Sequence, residues 1–250
     1  MAGAAVLGRL TWLAAEAVET VAETPRTRTL VLDVPGWSGH RPGQHVDVRL
    51  TAEDGYQAQR SYSIASASAE DRLELTVERI DDGEVSPYLV DDLLPGDRFE
   101  LRGPIGGYFV WDDEPGGPVL LLAGGSGIAP LMSMLRHRAA SDSAVPTRLL
   151  YSSRSLTDVI YREELDRLAA NGVGLEISLT LTRSQPPGWK GSARRIDDAL
   201  LAEIAWSSAD RPLAFVCGPT TFVEVAAGAL TSLGYEAASI KTERFGPTGG

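Results

Sequence analysis

The chain has almost no cysteine. Cys217 is the only one, so no intrachain disulfide can form. Neither a cysteine-ligated iron-sulfur cluster nor a cysteine-rich zinc site can be built from this polypeptide alone. Histidine is nearly as scarce. His40, His45 and His137 are scattered without HExxH or other ligand spacing, so no metal is expected, and they read as loop and helix-surface residues. No apolar run approaches the ~20 residues needed to cross a bilayer, and no membrane insertion is expected. The Ala-rich start is interrupted by Arg9, Glu16 and Glu19 and lacks the basic start and cleavage pattern of a signal peptide, which predicts a cytoplasmic protein. Lysine is absent from residues 1–112, which hold ten arginines against nineteen acids, while 113–250 hold thirteen basic residues against fifteen acids. A formal net charge of −11 is unsuited to neutralising nucleic-acid phosphates, so no nucleic-acid partner is expected. The second half can host an anion more easily.

With 43% hydrophobic and 23% charged positions in 250 residues, the chain can bury a core and suits one or two domains. Two grammars divide it. From about Thr11 to Trp111 apolar residues recur at every second position, as in Val46, Val48 and Leu50 and again in Leu73, Leu75 and Val77. Turns at Pro35-Gly36, Pro42-Gly43 and Pro95-Gly96 separate the runs. This predicts antiparallel strands closing into a small barrel or sandwich, with one helix near Ser86 to Leu94. After the loop from Asp112 to Pro118, apolar strands alternate with amphipathic helices, which predicts a parallel sheet with helices on its faces. The boundary falls at about Asp112, giving domains 1–112 and 113–250. A capping box of Thr221 with Glu224 predicts the start of the last helix, and Gly234 its end.

The strongest local signal is a buried strand running into Gly124, Gly125 and Gly127 and then a helix that Pro130 helps start. Glycines at a strand-to-helix turn let a phosphate approach the free amides of the helix start; alone, they also fit a plain tight turn. At the end of the next strand stand Ser152, Ser153 and Arg154. A plain NAD site commonly has an acid there, whereas guanidinium plus hydroxyls suits a 2′-phosphate, so NADPH is favoured over NADH. A solvated polar loop is the plainer reading. In the first half, the segment from Arg60 to Ser66 is too polar for a core, and Gly83, Val85 and Ser86 make a second small-residue turn into a helix. Together they suggest two dinucleotides facing each other.

Six segments occur in an order that resembles the ferredoxin-NADP reductase-like flavoprotein family. They are RSYSIAS, GEVSPYL, GPIGGYF, GGSGIAP, VCGPTTF and the terminal TERF, spanning Arg60 to Phe245. The last resembles bacterial members that serve as reductase components. The resemblance implies a six-stranded antiparallel flavin-binding β-barrel followed by an α/β nucleotide-binding domain. It implies FAD held at its diphosphate by Arg60, with Tyr62 on the isoalloxazine and Ser63 near flavin N5. It implies that Gly83, Val85 and Ser86 hold the FAD diphosphate and that the backbone of Val77 and Arg79 lines the ribityl chain. Cys217, followed by Gly218 and Pro219, would lie beside the nicotinamide, and Glu243 and Phe245 would close the site, Phe245 lying on the flavin face. Thr182 and Arg183 match a segment lining the coenzyme site, where a surface loop is the other reading. The tail Gly246 to Gly250 departs from family members that end at the aromatic residue.

The implied activity is hydride transfer from NADPH to FAD, then single electrons to a separate protein: a ferredoxin, a cytochrome, an oxygenase component or a molybdenum enzyme. The acidic first half disfavours a strongly acidic ferredoxin unless its arginines cluster at the cleft. A monomer is expected. An NADH-dependent flavin or quinone reductase, and a non-catalytic nucleotide-binding regulatory subunit, are the alternatives.

Overall fold

The structure is a computed structural model that describes residues 10–112 and 117–246. The other residues, with Asp113 to Gly116 of the predicted loop and Pro247 to Gly250 of the tail, lie outside the described residues. No helix among those described is long and apolar enough to cross a membrane.

The alternating half forms six strands, β1 (Leu13–Thr24), β2 (Thr27–Asp33), β3 (His45–Thr51), β4 (Gln57–Ser63), β5 (Leu73–Glu78) and β6 (Arg98–Ile105). They make one sheet in the order β4-β3-β6-β1-β2-β5, with every pairing antiparallel. The inward residues, among them Ala15, Leu30, Leu32, Val46, Val48, Leu75, Val77 and Leu101, are all buried in one cluster. The end strands meet at a seam through the bridge Ile64 to Leu75, which curls the sheet into a barrel and leaves the facing edges beyond it open. The three Pro-Gly turns fall where expected, with Gly36, Gly43 and Gly96 all at positive φ. Gly43 is required twice over: a Cβ there would sit 2.0 Å from the Phe109 carbonyl oxygen.

One sequence expectation for this half needs correction: His45 is the first residue of β3, not a loop residue. The helix expected near Ser86 to Leu94 is present over residues 86–92, wound as a π-helix over Tyr88–Asp92, with Leu89 and Val90 buried.

The second half is a five-stranded parallel sheet in the order β11-β10-β7-β8-β9. Its strands are β7 (Val119–Gly124), β8 (Thr147–Ser153), β9 (Leu175–Leu181), β10 (Leu213–Pro219) and β11 (Ile240–Phe245). The helices are α1 (Ile128–Ala140), α2 (Arg162–Asn171), α3 (Asp198–Ile204) and α4 (Thr220–Ser232). Alternation along β7 distributes the core: Val119, Leu121 and Ala123 pack with α1 and α2, and Leu120 and Leu122 with α3 and α4. The chain builds β7, β8 and β9 outward in one direction, then crosses back to place β10 and β11 on the other side of β7. That reversal puts a crevice at the carboxyl ends of β7 and β10.

The predicted capping box is overturned. α4 starts at Thr220 behind Pro219, with no side-chain cap, because the strand ends in Gly218-Pro219 and the chain turns directly into the helix. Glu224 instead accepts a hydrogen bond from Arg244 Nε at 2.9 Å. Gly234 does end the helix: it has φ +87, and the N–H groups of Gly234 and Tyr235 reach back to the carbonyls of Thr231 and Leu230.

Polar contacts lock the two sheets together. Arg136 of α1 donates to Glu74 of β5 at 2.6 Å, to Glu164 of α2 at 2.8 Å and to the Ala65 carbonyl at 3.0 Å. Ser133 donates to the Ser66 carbonyl at 2.7 Å. The barrel's last aromatic residues, Phe109 and Trp111, are buried in the same cluster as Leu121 and Phe215.

Candidate functional site

A cleft of about 440 Å³ opens at the crevice where the strand order reverses. Gly124, Gly125 and Ser126 line it from the end of β7, Ser152, Ser153 and Arg154 from β8, and Thr182 and Arg183 from the end of β9. Pro219 and Phe245 close it from β10 and β11. The turn after β7 is a 3₁₀ turn, Gly125–Gly127, closed by the Ile128 N–H on the Gly125 and Ser126 carbonyls. It leads straight into α1, so the positive end of that helix dipole lies beside the Gly125 and Ser126 lining of the cleft. Gly125 has φ +56 and open space where a Cβ would go. Gly127 serves packing instead, since a Cβ there would come 2.2 Å from the Cys217 carbonyl oxygen.

The ends of β8 and β9 are pinned to each other. The amides of Arg183 and Ser184 donate to the Arg154 carbonyl at 2.9 and 3.1 Å, and Thr182 donates through both N–H and hydroxyl to the Ser153 carbonyl. This sets Arg154 and Arg183 on neighbouring loops above one corner of the cleft. Arg195 and, from the barrel, Arg26 join them on its lining, opposed only by Asp158 and Glu78 among the acids there. Arg26 is paired with Asp81 at 3.1 Å, and the four guanidiniums against two carboxylates give the cleft lining a positive balance in a chain of net charge −11. Arg26, Arg195, Thr24, Thr27 and Glu78 were not singled out from sequence. Arg195 had a legible signal, a basic pair just before the helix cap Asp197, whereas the barrel residues come from a hairpin with no motif.

The flavin-type residues form a second group along the barrel seam. Arg60, Tyr62 and Ser63 follow one another on β4, and Val77 lies on β5 with Arg79 just beyond it, across the edge that the single bridge leaves open. Val77 and Val85 are fully buried, their side chains in the barrel core. Ser86 accepts the Ile80 N–H at 3.1 Å, which shapes the turn around Gly83 and leaves its own proton to donate. Arg60 pairs with Glu84 at 2.8 Å, and the Tyr56 hydroxyl donates to the other Glu84 oxygen at 2.6 Å. Arg79 is held by Asp81 and Asp91, which positions its strand end. Burial pushes the Tyr62 phenol above its ordinary range.

The two groups meet at one contact. Ser63 Oγ donates to Glu243 Oε1 at 3.3 Å, across 180 residues of sequence. The parallel register of β10 and β11 sets Glu243 beside Cys217 and Phe245 beside Pro219. Burial pushes the Glu243 carboxyl up to about 7, against the Ser63 hydrogen bond that favours its ionised form. Burial, with Glu243 second, pushes the Cys217 thiol well up, so it stays protonated. Gly218 packs under Phe222, where a Cβ would come within 2.8 Å of the ring.

A pH dependence follows. Glu243 holds its proton more tightly in the fold than in the unfolded chain, so its contribution favours the fold below pH 4.5 and is lost as pH rises through about 7. Between pH 5 and 8, Glu243→Gln should lose on the order of 1–3 kcal/mol of the wild-type fall in unfolding free energy. Urea titrations at both pH values measure it, and an unchanged slope would remove the description of Glu243 as a buried acid.

The chain matches the oxidoreductase FAD-binding domain over residues 16–110 and the oxidoreductase NAD-binding domain over residues 121–228. It is 35% identical over 211 residues to ferredoxin–NADP reductase B of Sorangium cellulosum, covering 81% of this chain and 84% of that protein. It is 31% identical over 236 residues to the glycine betaine monooxygenase reductase subunit of Chromohalobacter salexigens, covering 92% of this chain. This chain spans 63% of that relative's length. Among solved structures, the FAD/NAD-binding domain of a nitric oxide dioxygenase from Vibrio cholerae superposes with a TM-score of 0.84 at 25% identity, over 94% of this chain and 99% of that one. Fold and matches together give an FAD-binding domain of the oxidoreductase type followed by an NAD-binding domain of that type. The chain belongs to the ferredoxin–NADP reductase-like flavoprotein family.

Proposed function

We propose that this chain takes reducing equivalents from NADPH through FAD and passes single electrons to a separate acceptor protein, with a domain boundary at 112/113. The contact of Ser63 with Glu243 carries the reading: it joins the open barrel seam to the mouth of the nucleotide cleft, so two flat rings brought by the two halves would meet there. The fit of each half supports it. The seam offers unpaired strand edges beside Arg60 and Ser86, and the Gly125 turn offers empty space beside the positive end of α1.

Bound FAD would supply the conversion between two-electron and one-electron chemistry. The chain's own residues do the rest. Arg60, Gly83, Val85 and Ser86 hold the flavin diphosphate, and Arg60 exchanges Glu84 for it. Tyr62 packs on the ring, and the backbones of Val77 and Arg79 line the ribityl side. Gly124 and Gly125 receive the coenzyme diphosphate, with Gly127 allowing α1 to approach. Arg154, Arg183 and Arg195, with Ser152 and Ser153, take the 2′-phosphate, which favours NADPH over NADH. Cys217, Gly218 and Pro219 floor the nicotinamide end, and Phe245 covers the flavin until the nicotinamide arrives. Glu243, raised to about 7 and so divided between its acid and carboxylate forms near pH 7, would hold a proton at the flavin edge and pass it through Ser63.

The acceptor in this reading is an oxygenase component, the class that relatives such as the C. salexigens reductase subunit serve by name. A monomeric, cytoplasmic protein is part of the same reading. Purified protein should be yellow and bleach when NADPH is added without air. A colourless protein that takes up no FAD would overturn the proposal.

A further inference from the structure

We propose that Glu23 is a positioning residue for coenzyme binding, because it terminates a closed ring of hydrogen bonds that pins the loop before α2 to the barrel. This rests on the coenzyme reading above. Glu23 is the penultimate residue of β1, and the residues just after it, Thr24, Arg26 and Thr27, line the cleft. On the other half, Asp158 and Ile160 line the same cleft, and Tyr161 follows. Glu23 Oε2 accepts the Tyr161 N–H at 3.1 Å, and Oε1 accepts the Thr29 hydroxyl at 2.8 Å. Thr29 meets Thr76 at 2.9 Å, Thr76 meets the Tyr161 hydroxyl, and the ring is closed.

Tyr161 is a strained choice for this place. Its φ is +58, a left-handed conformation that a bulky side chain rarely adopts, and it is 3% exposed. α2 begins after it with no side-chain cap of its own. The Glu23 carboxylate stands at that helix start and supplies, from the opposite half of the protein, the negative charge a helix N-terminus favours. Arg136, stacked 5.2 Å from the Tyr161 ring, and Glu164 are the charged groups that face Glu23.

Donor accounting gives the ring one direction. An ionised carboxylate only accepts, so Thr29 donates to Glu23, Thr76 to Thr29 and Tyr161 to Thr76. Glutamine would keep one oxygen for the Tyr161 N–H, which can only donate, and would turn its NH₂ on Thr29. Three hydroxyl protons then share the two contacts Thr29–Thr76 and Thr76–Tyr161, which leaves one buried proton without an acceptor. Tyr161→Phe shortens the chain without mending it, because Thr76 then becomes the donor that lacks an acceptor.

The test is NADP⁺ binding to the FAD-loaded protein, followed by the perturbation of the flavin spectrum, with FAD affinity measured in parallel. Glu23→Gln should weaken NADP⁺ binding about tenfold, with FAD affinity and the limiting rate of flavin reduction within about twofold. Tyr161→Phe alone leaves Thr76 donating to Thr29 and Thr29 to Glu23, with the N–H of residue 161 still on the carboxylate, so it should keep NADP⁺ affinity within about twofold, and adding it to Glu23→Gln should give the loss of Glu23→Gln alone. NADP⁺ affinity unchanged by Glu23→Gln, an equal fall in FAD affinity, or recovery of NADP⁺ affinity in the double variant would each overturn the assignment. A wild-type holoprotein that binds no NADP⁺ overturns the coenzyme reading and this assignment with it.

Discussion

Replacing Arg154 by alanine is expected to raise the NADPH concentration for half-maximal flavin reduction by about 10- to 100-fold and that for NADH by less than about twofold. Arg154 is exposed at the end of β8, with its backbone pinned by Arg183 and Ser184, so its removal leaves the fold intact and takes away only a guanidinium. A guanidinium meets a phosphate monoester with charge-assisted, fork-shaped bonds that NADH cannot accept at the same place. Arg183 and Arg195 share the corner, so one deletion weakens the site without abolishing it. Steady-state titrations with both coenzymes measure the split. Equal losses for NADPH and NADH would remove the 2′-phosphate from this corner.

Ser63→Ala should slow flavin reduction by about 10- to 100-fold while FAD stays bound. The hydroxyl is small and half-buried, and the FAD diphosphate is assigned to Arg60 and Ser86, so retention of the cofactor does not depend on it. The loss has a second signature. Ser63 provides the hydrogen bond that opposes burial at Glu243, so without it the carboxyl moves further above about 7. The pH profile of flavin reduction should therefore move to higher pH in the alanine variant. Rapid-mixing measurements across pH would show both effects, and an unchanged rate would discard the role of Ser63 beside the flavin.

Much of this architecture was legible from local pattern. The period-two alternation of Val46 and Val48 or of Leu73, Leu75 and Val77 matches the barrel's inward face, because a strand with one buried side has no other way to satisfy both solvent and core. The uninterrupted run from Val119 to Ala123 matches a central parallel strand covered on both faces. Gly234 was readable as a helix end because its positive φ is a local requirement. The capping box failed for the opposite reason. Thr221 and Glu224 have the right spacing, but Pro219 turns the chain into α4 one residue early, and Arg244 on β11 captures Glu224.

The candidate site divides the same way. Glycine turns, the Ser152 to Arg154 end of β8 and the RSYS segment are contiguous, so their chemistry can be read along the chain. Arg26, Thr24 and Thr27 sit on a hairpin without any such mark, and only the docking of the barrel against the second half, where neighbouring Glu23 accepts the Tyr161 N–H, brings them to the cleft. What the amino-acid order determined alone was the two folding grammars and the phosphate-friendly turns, since backbone conformation and strand burial depend on near neighbours. Tertiary structure decided the meeting of Ser63 with Glu243 and of Glu23 with Tyr161, because hydrogen bonds between residues more than a hundred positions apart exist only once both halves have closed on each other.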